Sequence, residues 1–246
     1  MLAQVSASAP DIALHGRVVR GYVLHALAAL TRPDTLLVVG TEDREGPRLR
    51  FGLSVGARLV ALAQGAVAII PRTVDTSLSG VAVGVDGSRS SHEAVLVAAA
   101  EAARRGETLH LVHAWVQPTL YERSFLLDAE FLAALEQEHR SLLDDARAHA
   151  EAAAPGTPVE THLVVGSPAH ALASLEPRAA VIVIGTRGLS GWRRLLLGSV
   201  GHELILHLDV PVIVVGHPAS RGHDDTRVAQ AGTRTTSPAV SAGSPA

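Results

Sequence analysis

Apolar and polar positions fall along this chain in blocks that read as strands followed by helices. Val81-Ala-Val-Gly-Val85 is a continuous apolar run, the pattern of a parallel strand buried on both faces. Ser90-Ser-His-Glu93 has the spacing of a capping box and predicts a helix to about Arg105, closed by Gly106. Thr108 to Trp115 predicts the next strand. From Asp128 to Ala153, Phe131, Leu132, Leu135, Leu142 and Leu143 recur at helical spacing, and Pro155-Gly156 ends the helix. Val159 to Val165 predicts a strand, and Ser167-Pro168 opens a short helix to about Leu175. Ala180 to Ile184 and Pro211 to Val215 predict two more strands, with a helix from Ser199 to His207 between them. Strands alternating with helices imply the α/β class: a doubly wound parallel sheet with right-handed crossovers.

The pattern also repeats. Displaced by 145 positions, residues 16–70 fall on 161–215 without a gap. Gly21 then meets Gly166, His25-Ala-Leu-Ala28 meets His170-Ala-Leu-Ala173, Gly40-Thr41 meets Gly185-Thr186, and Ser54-Val-Gly56 meets Ser199-Val-Gly201. The chain holds two copies of one module, the first short at its front. Residues 1–76 supply only the last three strands, expected at Ala13–Arg20, Leu36–Val39 and Val67–Ile70, with a helix at Tyr22–Leu30 between the first two. Residues 77–217 form the complete copy. Residues 218–246, rich in Ser, Thr, Pro, Gly and Ala without periodicity, read as a disordered tail.

Composition narrows the function. Of 246 residues, 47% are hydrophobic and only 3% aromatic, so the core must be built from Ala, Val, Leu and Ile. No cysteine is present, which removes disulfides and thiolate metal sites. The net charge of -3, without a basic cluster, argues against nucleic acid as a partner. No apolar run approaches the ~20 residues of a membrane span, and Met1 to Pro10 lacks the pattern of a secretory signal, so a cytoplasmic protein is expected.

The chemistry concentrates after the strand at Val181–Ile184. There Gly185-Thr-Arg187-Gly188 is followed by nine residues and then Gly198-Ser199, where a helix begins. A strand end, a glycine-rich loop and a helix N-terminus make an anion site, because first-turn amides lack intrahelical partners and the helix dipole favours negative charge. Arg187, Arg193 and Arg194 are candidates to neutralise phosphate. The spacing Gly-x2-Gly-x9-Gly-Ser resembles the nucleotide signature of the ATP-binding universal stress proteins. Val81-Ala-Val-Gly-Val-Asp86-Gly-Ser88 and Pro211-Val-Ile-Val-Val215 resemble that family's first and last strands.

The resemblance implies a Rossmann-like sheet of order 3-2-1-4-5 in the complete copy. It places Asp86 near the ribose or a phosphate-bound Mg²⁺ and the backbone around His113-Ala114-Trp115 against adenine. Gly185, Gly188, Gly198, Ser199 and the amides of Val200 and Gly201 would hold ribose and phosphates. The implied ligand is ATP, or AMP or ADP, with Mg²⁺, in a regulatory role in the stress response. The resemblance also brings Val67–Ile70 against Val212–Val215, joining the two copies within one chain or two chains in a homodimer. In the first copy Asp43 and Leu53 replace the second and third glycines, so no nucleotide is expected there. Leu36–Val39 is left without its strand-one neighbour; a crossover bringing Ala13–Arg20 beside it would give a three-stranded remnant.

Alternative readings are a dimerisation scaffold with a vestigial site and a slow ATPase. Related adenylating enzymes carry Ser-Gly-Gly-x-Asp-Ser after strand one, whereas Gly84-Val85-Asp86-Gly87-Ser88 lacks that glycine pair. No cysteine nucleophile and no His–carboxylate dyad is evident. His110 and His113, three apart on a strand, face opposite sides, and the thirteen histidines read as scattered surface or structural residues.

Overall fold

The computed structural model describes residues 11–40, 55–116, 129–186, 200–201, 204 and 209–216. Its elements in chain order are α1 (Val23–Ala28), β1 (Leu36–Gly40), α2 (Val55–Leu62), β2 (Ala66–Ile70), β3 (Val81–Gly84), α3 (Arg89–Arg105), β4 (Leu109–Trp115), α4 (Ala129–Ala153), β5 (Val159–Val165), α5 (Pro168–Ala173), β6 (Val181–Gly185) and β7 (Val212–Val215). The strands form one sheet of order β1-β2-β7-β6-β3-β4-β5. Read from β5 inward, the complete copy has the order 3-2-1-4-5, and the sheet then continues into the two strands of the short copy. The region after Gly216, expected to be disordered, lies outside the described residues.

Strand parity divides the core in two. Val81, Val83, Val181, Val183, Ile213 and Val215 point to one face, where Ala94, Val95, Ala98, Ala99 and Ala102 of α3 and Leu143, Ala146 and Ala150 of α4 cover them. Ala82, Ile182, Ile184, Val212 and Val214 point to the other, beneath α2 and α5. With so few aromatics, close packing is achieved with alanine, whose small side chain lets α3 lie near the sheet. Gly106 at φ +66° closes α3 as the pattern predicts, since the left-handed region favours glycine.

The two copies join through β2 and β7. Every other neighbouring pair in the sheet is parallel, but Val67, Ala68 and Ile69 lie antiparallel against Val214, Ile213 and Val212. All six residues are buried. Burying an aliphatic side chain of this size contributes about 1.5–3 kcal/mol, more than the ~0.5–1.5 kcal/mol net of one ladder hydrogen bond, so packing dominates this junction. β7 has β6 on its other side. Both edges of β7 are therefore used, and this ladder leaves no room there for the last strand of a second chain.

One expectation fails. Residues 13–20 form no strand, and among the described residues β1 pairs with β2 alone, so the remnant shows two strands there rather than three. The reason lies in the residues: Val18 and Val19 are interrupted by Arg17, Arg20 and Gly21, and the segment finds no apolar surface to cover, leaving Val18 almost fully exposed. Leu36 and Val38 are exposed while Leu37 and Val39 pack against the core beneath α1 and α2. Among the described residues, β1 is thus covered on one face only. Amide hydrogen exchange should be faster along Leu36–Gly40 than along Val181–Gly185 by orders of magnitude, since edge strands open locally while central ones follow global unfolding; equal protection would contradict a weak edge.

Candidate functional site

The chain leaves β3 through α3 to β4 on one side, and returns after α5 to β6 on the other. Strand order reverses between β3 and β6, and in such sheets a crevice opens outside the carboxyl ends of the two strands. Three pieces of chain meet there: Val85 to Ser88, the first turn of α3, and Gly185-Thr186.

The Asp86 loop is built by local hydrogen bonding. Asp86 Oδ1 accepts from the Ser88 amide at 2.9 Å, and Gly87 turns the chain at φ +74°. Ser88 Oγ then accepts from the Ser91 amide at 3.2 Å, which makes Ser88 the N-cap of α3. The expected capping box at Ser90 and Glu93 is therefore displaced. The tight turn at Asp86 delivers Ser88 to the helix start two residues early, and Glu93 instead faces Arg89 at 3.4 Å. Ser90 becomes a buried residue of the first turn. A Cβ added at Gly185 would lie 2.6 Å from the backbone carbon and oxygen of Ser90. Glycine at 185 thus lets α3 start directly against the end of β6.

His113 ties β4 to this loop. Its Nδ1 lies 2.6 Å from the Val85 carbonyl oxygen and its Nε2 2.8 Å from His139 Nδ1 on α4. The carbonyl can only accept, so His113 Nδ1–H donates to it; in the neutral ring Nε2 then accepts from His139. The His139 ring stacks on Trp115 with centroids 4.6 Å apart. Trp115 Nε1 is buried with no hydrogen-bond partner among the described residues. Burial, reinforced by His113, lowers the pKa of His139 below the ordinary 6.5. Ala114 lies on the opposite face, half-buried beside Val164. Val200 is half-buried against the same face, and Gly201 is buried.

Of the predicted site residues, Asp86, His113 and Gly185 are thus brought to one end of β3, β4 and β6, linked through Val85 and the start of α3. Arg187, Gly188, Gly198 and Ser199 lie outside the described residues, as do Arg193, Arg194, Asp43 and Leu53.

Histidine placement departs from the expectation of scatter. His92 stacks on His149 and His113 on His139, while the rings of His110 and His162 are tilted by 45° with centroids 5.3 Å apart. A histidine–carboxylate contact also exists: His110 Nδ1 lies 3.4 Å from Glu160 Oε2. Spacing along one element cannot reveal these pairs, because each joins two elements. The parity of Glu160 and His162, two apart on a strand, was the available signal.

Two predictions follow from this geometry. Gly185→Ala should destabilise the fold by about 1–3 kcal/mol in urea titration, because the new methyl meets helix backbone rather than a movable side chain. His139 has its folded-state pKa depressed, so its contribution is present above the unfolded value near 6.5 and is lost as pH falls below it. Urea midpoints should therefore decline on acidification, with a shallower slope in His139→Gln.

Comparison with known proteins agrees with this architecture. The family model described as universal stress protein family matches residues 80–216. A universal stress protein of Mycobacterium tuberculosis is 30% identical over 220 residues, covering 87% of this chain and 69% of the relative. Another from the same species is 36% identical over 194 residues, 76% of this chain and 64% of the relative. A universal stress protein structure from Archaeoglobus fulgidus superposes with a TM-score of 0.58 at 21% identity, covering 89% of this chain and 75% of that one. The match of more than half the chain to the family model, and the 30% identity to a relative covered over 69% of its length, have one meaning: the chain belongs to the universal stress protein family.

Proposed function

We propose that this chain is a nucleotide-dependent regulator of the stress response in the cytoplasm, binding one ATP with Mg²⁺ in its complete copy, residues 77–217. The observation that carries the reading is the strand-order reversal between β3 and β6, where the Asp86 loop, the start of α3 and the end of β6 converge. Ligands of open α/β sheets occupy this position. The residues present fit the group. One half-buried carboxylate, serine hydroxyls and a backbone free of side chains at Gly185 suit a ribose and a hydrated, phosphate-bound Mg²⁺. Both ring nitrogens of His113 are engaged, so its backbone, with that of Ala114, is what remains to meet the base.

In this reading Asp86 would hold a hydrated Mg²⁺, which would supply neutralisation of phosphate charge. Gly188, Gly198, Ser199 and the amides of Val200 and Gly201 receive the phosphates, with Arg187 adding charge-assisted hydrogen bonds. The short copy, residues 1–76, binds none in this reading, because its sequence carries Asp43 and Leu53 at the positions that match Gly188 and Gly198.

The test is nucleotide content. Denatured, purified protein should release about one adenine nucleotide per chain by mass spectrometry, and Gly198→Asp should reduce this to background. Release of none from the parent protein, or unchanged release from the variant, would overturn the reading. In calorimetry Asp86→Ala should weaken Mg-ATP at least about tenfold while affecting adenosine less, since a charge-assisted contact is worth about 1.5–3 kcal/mol. Equal losses for both would place Asp86 away from the phosphates.

A further inference from the structure

A second cluster lies at the other end of the sheet. His110 is the second residue of β4, three residues before His113, so it sits about 10 Å along the strand from the part of β4 that borders the crevice. β5 pairs with β4 in register, Glu160 opposite His110 and His162 opposite Val112. Glu160 and His162 are two apart on the edge strand and share a face with His110. Three side chains from two strands therefore converge. His110 Nδ1 lies 3.2 Å from His162 Nε2 and 3.4 Å from Glu160 Oε2, and His162 Nε2 lies 3.8 Å from the same oxygen.

The geometry points to a Zn²⁺ site formed by His110 Nδ1, His162 Nε2 and Glu160 Oε2. Zinc bound by imidazole nitrogen at ~2.0–2.1 Å and carboxylate oxygen at ~2.0–2.2 Å, in a tetrahedron, sets its ligand atoms about 3.3–3.5 Å apart. The three distances bracket that value, so small side-chain rotations suffice to close one triangular face around the ion. Two imidazoles with one carboxylate favour zinc over magnesium or calcium, which prefer all-oxygen sets. The fourth position is open to water, because the Glu160 side chain is 57% exposed while His110 is 3% exposed. The site is also held from behind. A Cβ at Gly80 would lie 2.9 Å from His110 Nε2, so the close approach of that glycine limits how far the ring swings away. An ion here would cross-link the edge strand β5 to β4, independently of any nucleotide. A hydrogen-bonded histidine pair without metal is the competing account, and it predicts no stoichiometric zinc.

The full-length protein, stripped with EDTA and desalted, would be mixed with excess ZnCl2 and passed through gel filtration. One zinc per chain should be retained by elemental analysis. Glu160→Gln and His162→Gln should each weaken zinc binding at least about tenfold, the lower range seen when the surroundings of a metal site are disturbed. Glu160 is largely exposed, so its substitution leaves folding intact, which circular dichroism checks. Co²⁺ in place of zinc should give the strong visible absorption of a four-coordinate site, lost in both variants. No retained zinc, equal retention in Glu160→Gln, or Co²⁺ absorption unchanged in the variants would overturn the assignment. Nucleotide content is measured separately, so this outcome and that of the crevice are distinguishable.

Discussion

A parallel sheet whose strands are apolar on both sides must be covered on both faces, and the rest of this structure is organised by that requirement. Val81, Ala82 and Val83 of β3 are fully buried, and nearly all residues of β6 and β7 are buried. Helices have to return across the sheet to cover them, in both directions from β3. That arrangement forces the reversal of strand order between β3 and β6, and with it the crevice. The functional position is thus a by-product of burying the central strands. Alanine in α3 and glycine at 185 then decide how closely the covering layer approaches, and hence where the helix start sits relative to the Asp86 loop.

Polar groups inside this apolar frame occur where two elements meet. His113 spans from α4 to the Val85 carbonyl, and His110 spans from β4 to the edge strand. A neutral imidazole can donate with one nitrogen and accept with the other. Histidine therefore acts as a two-sided connector at these contacts.

The strands and helices of the complete copy were legible because their periodicity is strong and their stops are chemically distinct. The run Val159–Val165 and the closing Gly106 are examples. The start of α3 was misplaced because two serines compete for one cap, and the competition is settled by the turn at Asp86 and Gly87 rather than by spacing. Residues 13–20 align with β5 in the repeat but lack a partner surface, and a sequence match carries no information about whether the neighbouring strand is present. The loop glycines stood out for the same reason the histidine pairs did not. Gly185, Gly188 and Gly198 share one stretch of chain, whereas His110, Glu160 and His162 become neighbours only once β4 and β5 are in register.

The antiparallel ladder between β2 and β7 has a directional consequence. Because β1 and β2 run against the rest of the sheet, the carboxyl end of β1 at Gly40 opens on the rim opposite to Gly185. The two copies thus share a continuous core while the equivalent strand ends, Gly40 and Gly185, face opposite rims of the sheet. No ligand of ordinary size reaches from one rim to the other. Influence of one copy on the other would pass through this shared apolar core, the ladder of β2 and β7 together with the packing of α2 beside it. The two copies are mechanically in series and chemically apart.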